Sequence, residues 1–375
     1  MAASAYPEPM GDSTAFQALD GGTIPADWAD VTPAWMTAAL QRDHPGVEVA
    51  AVEVLQRDDG TNRRGRLGIG YATGVGPEVV FVKAEGAHRE AHARNGNLFN
   101  EPELFANRVE LPVDHPRPYH VVIDRPALDY VIVMEDITLR GGEPRDATRP
   151  LSVAQVAGGL TGLAALHAHY RGVTAAGTGL GWLEDLAPTP GWQAALRNGV
   201  IAGVEKASRI LPAEVRARGG EQLLADAVEA MAGFVAGPPT LLHADPHIGN
   251  TYVLPGDEVG FLDWQVCHRG NWAHDVAYFL VSALTVDDRR SAEHRLLRGY
   301  LEASAVAGGE PPELAEAETR YAAAHAYGLA VWLATLNNGR AQSAAVCRAL
   351  VERYAAAYLD ADTPAALRRL RQLHA

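Results

Sequence analysis

Lysine is nearly missing from this 375-residue chain: of its 32 basic residues only Lys83 and Lys206 are lysine, and the rest are arginine. A lysine kept at the end of the apolar run Val79-Val80-Phe81-Val82 therefore marks a place where a compact ammonium does what a guanidinium fork does not. Cysteine is as scarce. Cys267 and Cys347 are too few for a disulfide framework and show no C-x-x-C zinc or redox spacing, which points to a reducing, cytoplasmic setting. Positive charge is in deficit, 32 Lys and Arg against 46 Asp and Glu for a net charge of −14, and this disfavours nucleic acid and anionic membrane as partners. The first 41 residues hold five acids and no Lys or Arg, the reverse of a basic secretory start. Long apolar runs are absent too: Val276 to Val286 is interrupted by Ser282 and Thr285, falls short of the roughly 18 residues of a spanning helix, and reads as a buried helix.

What is present is the composition of a folded protein, 47% hydrophobic and 21% charged, with length for about two domains. Residues 1–30, rich in Pro, Gly, Ala and Asp, lack periodicity and read as a loosely ordered arm. Thr32-Pro33 is a helix start, an N-cap followed by proline at the first helical position. From Val47 to Tyr71 alternating apolar residues flank the turn cluster Asp58-Asp59-Gly60-Thr61-Asn62, which predicts a hairpin. Val79 to Lys83, Tyr119 to Ile123 and Tyr130 to Met134 read as further strands, and Leu98 to Glu110 as a helix. Beyond Ser152 the spacing changes to three and four, with helical stretches over 194–210, 223–234, 273–284, 296–306, 314–336 and 344–358. Short β-like pieces interrupt them at 241–243, 251–254 and 259–262. The expected architecture is α+β, with a β-rich lobe over 31–137, a mainly helical lobe over 138–375, and Arg140 to Pro150 as the linker candidate.

Polar residues concentrate in His243-Ala244-Asp245-Pro246-His247-Ile248-Gly249-Asn250, followed by Asp263-Trp264 after a short apolar stretch. Pro246 and Gly249 disfavour a helix there, so the side chains sit on an irregular loop beside apolar strands, a common way to present chemistry at a cleft. Phosphoryl transfer needs a carboxylate to orient the acceptor hydroxyl, hard oxygen ligands for Mg²⁺ and a cation on the nucleotide phosphates. Asp245 five residues before Asn250, a later Asp263, and Lys83 at a strand end match that set, with Glu101 or Glu103 available to pair with the lysine.

These residues resemble the aminoglycoside phosphotransferase and choline kinase superfamily, and most of all its ecdysteroid-kinase-like (CHK-type) branch. The likeness rests on Thr61-Asn62-Arg63-Arg64, Val80-Phe81-Val82-Lys83, His243 through Tyr252, and Asp263-Trp264-Gln265-Val266 through Trp272 to Tyr278, and runs from about residue 32 to 332. The resemblance implies a bilobal protein-kinase-like fold with ATP between the lobes. It makes Asp245 the catalytic carboxylate, Asn250 and Asp263 the Mg²⁺ ligands, Lys83 the phosphate-binding lysine and Glu101 its partner. Thr61 and Asn62 would lie on the nucleotide loop, Met134-Glu135-Asp136 would be the hinge against adenine, and Asp275 a structural anchor. The loop Gly60 to Gly65 departs from the G-x-G-x-x-G of protein kinases.

Two other readings compete. His243-x-Asp245-x-His247 could ligate a metal in a hydrolase, although the spacing is not H-E-x-x-H and no second His or Cys cluster completes a site. A nucleotide-binding scaffold without turnover finds no missing residue to support it. For the acceptor, the acidic net charge argues against an anion. Trp264, Trp272 and Trp332 offer apolar walls, and only Asp275 is acidic between Trp264 and Phe279. A neutral, fairly apolar alcohol is therefore expected ahead of an aminoglycoside.

Overall fold

The structure is a computed structural model and describes residues 22–60, 62–86, 89–94, 96–173, 179–339 and 342–373. Helix α1 (Pro33–Leu40) opens as expected, Thr32 Oγ1 accepting the Trp35 N–H at 3.1 Å. Strands β1 (Glu48–Asp59) and β2 (Arg63–Thr73) form the hairpin, and β3 (Val79–Ala84) pairs with β2. Two short helices follow, α2 (Arg89–Arg94) and α3 (Asn100–Ala106), then β4 (Pro118–Asp124) and β5 (Asp129–Glu135). The sheet is antiparallel throughout, in the order β1-β2-β3-β5-β4.

The two-residue period of a strand decides which side chains reach the cleft. Val80, Val82, Val131 and Val133 are buried against α1, while Phe81, Lys83, Ile132 and Met134 face the other way, toward α3 and the second lobe. Trp28 also packs on the α1 side, 1% exposed, in a short turn of 3₁₀ helix that Asp27 caps. The loosely ordered arm expected to run to residue 30 thus loses its last residues to the first core. Residues 1–21 lie outside the described residues.

After a 3₁₀ turn at Ile137–Arg140 the chain forms the short strand β6 (Glu143–Pro144) and the helices α4 (Val153–His169), α5 (Pro190–Lys206) and α6 (Ala213–Phe234). Next come β7 (Thr240–Leu242), β8 (Thr251–Val253), β9 (Val259–Phe261) and β10 (His268–Gly270). Helices α7 (Ala273–Ala283), α8 (Val286–Val306), α9 (Leu314–Asn338), α10 (Ala344–Asp360) and α11 (Thr363–Leu373) complete the lobe. Helix α7 is buried along its whole length, and α9 packs against α5, α6, α7, α10 and α11. Lys206, at the end of α5, donates to the Leu336 carbonyl in the last turn of α9 at 2.7 Å, where a cation satisfies a terminal carbonyl. Among the described residues no helix is long and apolar enough to cross a membrane.

The linker candidate is tied down rather than free. Pro144 pairs with Tyr252, Arg145 donates to the Thr251 carbonyl, and Arg353 donates to the Ala147 carbonyl at 2.7 Å. Strand β5 ends ahead of it, at Glu135.

Candidate active site

A cleft of about 320 Å³ opens between the sheet and the helical lobe, with Phe81, Met134, Ile137 and Leu262 as its apolar walls and Lys83 and Asp263 at its polar end. Lys83 Nζ donates to Glu101 Oε2 at 2.5 Å and to Asp263 Oδ1 at 2.7 Å. Glu101 is held in turn by the Trp264 N–H, which donates to its other oxygen at 3.1 Å. Glu103 points away and pairs with Arg125. Burial alone would lower the Lys83 pKa, but the charges of Asp263 and Glu101 overrule it and hold the ammonium. Burial likewise works to raise Asp263, and the Lys83 charge brings it down to about 2.

Asp245 sits where β7 gives way to an irregular loop, and that loop is strained. Ala244 has φ +64° and Asp263, just after β9, φ +60°, in the left-handed region that non-glycine residues seldom occupy. The anchor is Asp275 in the first turn of α7, fully buried, which accepts the N–H groups of His243 (2.7 Å) and Ala244 (3.0 Å) and contacts His167 and His274. Burial opposes its charge, yet the two imidazoles hold its carboxyl well below the ordinary range.

Both ring nitrogens of His243 are occupied: Nε2 donates to the Leu262 carbonyl at 2.8 Å and Nδ1 accepts the Asp245 N–H at 3.2 Å. His247 Nδ1 accepts the Gly249 N–H at 3.0 Å, and burial, with His243 nearby, pushes its pKa down to about 4. The hydrolase alternative fails on this geometry. His243 has no nitrogen left for a metal, and among the described residues no group of three His, Cys, Asp or Glu side chains is placed to hold one.

Asn250 donates its amide to the main-chain oxygen of Asp245 (2.9 Å) and to Oδ2 (3.0 Å). That leaves Asn250 Oδ1 as its acceptor atom. It lines the cleft with Asp263, whose side chain is 39% exposed, and two hard oxygens at one cleft edge suit Mg²⁺. Burial, and next the charge of Asp263, raise the Asp245 pKa well above the usual carboxylate value, while Asn250 and Tyr278 pull the other way.

The remaining expected residues divide. Met134 lines the cleft, and Glu135 and Asp136 border it with their carboxylates already engaged. Glu135 accepts from Arg140 at 2.7 Å, and Asp136, 3% exposed, accepts from Arg66 at 2.5 Å and from the Thr138 N–H. Asn62 does not line the cleft: its buried amide donates to the Tyr130 hydroxyl at 3.0 Å. Thr61 lies outside the described residues. In their place Arg64 and Arg66 line the cleft, and the alternation of β2, with Leu67 and Ile69 on the α1 side, would have identified them.

Of the three expected tryptophan walls, Trp264 lines the cleft, and Trp332 stands edge-on to His247 with ring centres 5.0 Å apart. Trp272 does not join them; it stacks on Tyr300 over a separate depression beside His167. Two unanticipated rings take its place near Asp245: Tyr278, edge-on to His247, and Tyr327, edge-on to Tyr278 and stacked on Trp192.

A sheet-and-helix pair of lobes with a lysine–glutamate pair, a strained aspartate loop and a second aspartate across one cleft defines a kinase-like phosphotransferase. The chain belongs to the phosphotransferase enzyme family, whose sequence pattern matches residues 83–317. No relative among curated proteins matches by sequence. The fold is shared with a spectinomycin phosphotransferase solved in complex with ADP and spectinomycin (14% identity, 89% of this chain and 99% of that one, TM-score 0.52). It is shared equally with a choline kinase from Cryptosporidium parvum Iowa II (13% identity, 90% and 98%, TM-score 0.52). The expected superfamily and bilobal fold are thereby borne out.

Proposed function

We propose that this phosphotransferase moves the γ-phosphoryl group of ATP, bound with Mg²⁺, to the hydroxyl of a small, neutral and fairly apolar alcohol. The observation that carries the reading is the pairing of Asn250 and Asp263 on one cleft edge, with Asp245 hydrogen-bonded to Asn250 and the Lys83–Glu101 pair holding Asp263. Phe81, Met134, Ile137 and Leu262 give an adenine-sized apolar slot, and Lys83 supplies a fixed charge for the phosphates. Asn250 Oδ1 and Asp263 would hold Mg²⁺, which neutralises phosphate charge when bound. Asp245 accepts a hydrogen bond from the acceptor hydroxyl and takes its proton as the new O–P bond forms and the bond to the β-phosphate oxygen breaks, releasing ADP. Burial and the charge of Asp263 raise its pKa, which strengthens its hold on the proton it takes.

The surroundings of Asp245 speak for the acceptor class. Tyr278, Tyr327 and Trp332 are aromatic, and of the other carboxylates nearby Asp263 already faces Lys83 and Asp275 is buried on the His243 and Ala244 N–H groups. Rings of this kind suit a flat or bulky apolar alcohol better than a polycationic aminoglycoside. The test is an ATP-consumption screen over sterol-like alcohols, sugars and aminoglycosides, with mass spectrometry for the gain of one phosphoryl group. Turnover of aminoglycosides alone would refute the acceptor class. Asp245→Asn should lose most turnover and keep nucleotide binding, and unchanged turnover would refute its role.

A further inference from the structure

Asp114, in the loop between α3 and β4, belongs to no catalytic group described above, yet three parts of the molecule meet on it. Arg140 grips its carboxylate with both terminal nitrogens, at 2.9 and 3.0 Å, and reaches Glu135 at the end of β5 with Nε at 2.7 Å. The Tyr252 hydroxyl donates to the same carboxylate. The Asp114 main-chain oxygen accepts the Phe261 N–H at 2.9 Å. Tyr252 and Phe261 lie on β8 and β9, the hairpin whose open end carries Asn250 and Asp263.

The hairpin is built to let Tyr252 make this contact. Gly260 is its cross-strand partner, and a Cβ at that position would stand 2.2 Å from the tyrosine ring, so only glycine leaves the ring room to lie across β9. Burial raises the tyrosine pKa, so the phenol stays a proton donor. Burial works to raise Asp114, but the hydrogen bonds from Arg140 and Tyr252 hold its carboxyl below the ordinary range, so it stays an acceptor. A bidentate Arg–carboxylate pair is among the most directional contacts a protein makes. Here it spans the end of β5 and the hairpin, two elements that otherwise face each other across the cleft.

We infer that Asp114, Arg140 and Tyr252 form a strut that sets the position of Asn250 and Asp263 relative to the end of β5. They are positioning residues: they act on the nucleotide–metal end of the cleft and leave the acceptor end alone. The inference rests on the phosphotransferase reading for its functional consequence and on the hairpin itself for its structural one.

Tyr252→Phe removes one hydroxyl and keeps the ring, so the chain folds; Arg140→Gln is the second variant. Amide hydrogen exchange, run without nucleotide or metal, reads the hairpin directly. The Phe261 and Leu262 amides, the second donating to the Asn250 carbonyl at 2.8 Å, should exchange about tenfold faster in both variants. Calorimetric binding of Mg²⁺–ADP should weaken about tenfold, the lower end for outer-shell partners of a metal site. In turnover the KM for the nucleotide should rise while the acceptor KM holds. Arg197→Gln, which breaks an exposed ion pair with Glu221, should change none of these. Exchange rates equal to wild type would overturn the strut, and so would faster exchange with unchanged Mg²⁺–ADP binding. Wild-type protein that fails to bind Mg²⁺–ADP would refute the phosphotransferase reading instead, and exchange would then decide the strut alone.

Discussion

Replacing Lys83 with Met takes one charge from a pair whose members are 5% and 3% exposed, and leaves Glu101 to face the interior alone. An unpaired buried charge of this kind costs on the order of 3–5 kcal/mol. Asp263 loses the same partner at smaller cost, since its side chain is 39% exposed and stays hydrated. Glu101 can escape by binding a proton, because without the ammonium its burial dominates and drives its pKa further up. The sign follows from linkage. A carboxyl whose native pKa lies above its unfolded value of about 4.3 holds a proton the unfolded chain has released, so stability falls as pH rises from there through the native value. The deficit of Lys83→Met against wild type should therefore be smaller at pH 5 than at pH 8. Adding Glu101→Gln removes the stranded charge but keeps an oxygen for the Trp264 N–H, so the double variant should recover all but about 1 kcal/mol. Urea unfolding at the two pH values measures this through the midpoint at constant slope. A double variant no more stable than the single one, or a deficit independent of pH, would refute the buried-charge argument. Neither variant should regain turnover, because the proposed function needs the Lys83 ammonium whatever the stability.

The His247 pKa, pushed down to about 4, predicts stability that is complete above the unfolded value of about 6.5 and lost as pH falls through 4, on the order of 3 kcal/mol. His247→Gln should show a shallower acid loss in unfolding between pH 7 and 4, and an identical profile would remove the imidazole as its source. Ala244 occupies a left-handed conformation worth about 1 kcal/mol of strain, nearly offset in Ala244→Gly by the greater freedom of an unfolded glycine. That variant should match or slightly exceed wild-type stability, whereas Ala194→Gly on the exposed face of α5 should lose about 1 kcal/mol; equal losses in the two would count against strain at the loop.

Local chemistry made much of this legible. Thr32 caps the helix it was read to cap, and Ser152, read only as the start of a helical stretch, caps α4, because an N-cap is decided within four residues. Helix α11 went unread although Thr363-Pro364 repeats the Thr-Pro start of α1 and Leu367 and Leu370 share a buried face. Strand β10 has no alternation to read; its pairing with β7 makes it a strand. Glu101 and Glu103 are two residues apart on a two-turn helix, so sequence spacing could not choose between them, and the choice falls to which side of α3 faces Lys83. The aromatic surroundings of Asp245 were half visible. Trp332 stands against His247, while Tyr278, Tyr327 and Trp192 come from α7, α9 and α5, and their meeting depends on helix registers that no local pattern encodes. Trp272 shows the converse, an aromatic beside the motif whose helix start turns it toward Tyr300.

The scarcity of lysine gives this fold an unusual chemical transparency. Amine-acylating reagents find two lysine side chains in the whole chain, Lys206 bonded to the end of α9 and Lys83 closed between two carboxylates. Acylation needs the neutral amine, and the carboxylates around Lys83 keep it protonated. Its modification is thus a clock for the opening of the Lys83–Glu101 pair, with Lys206 as the internal reference, and occupancy of the cleft becomes readable from one modified peptide rather than from a crowded map of surface amines.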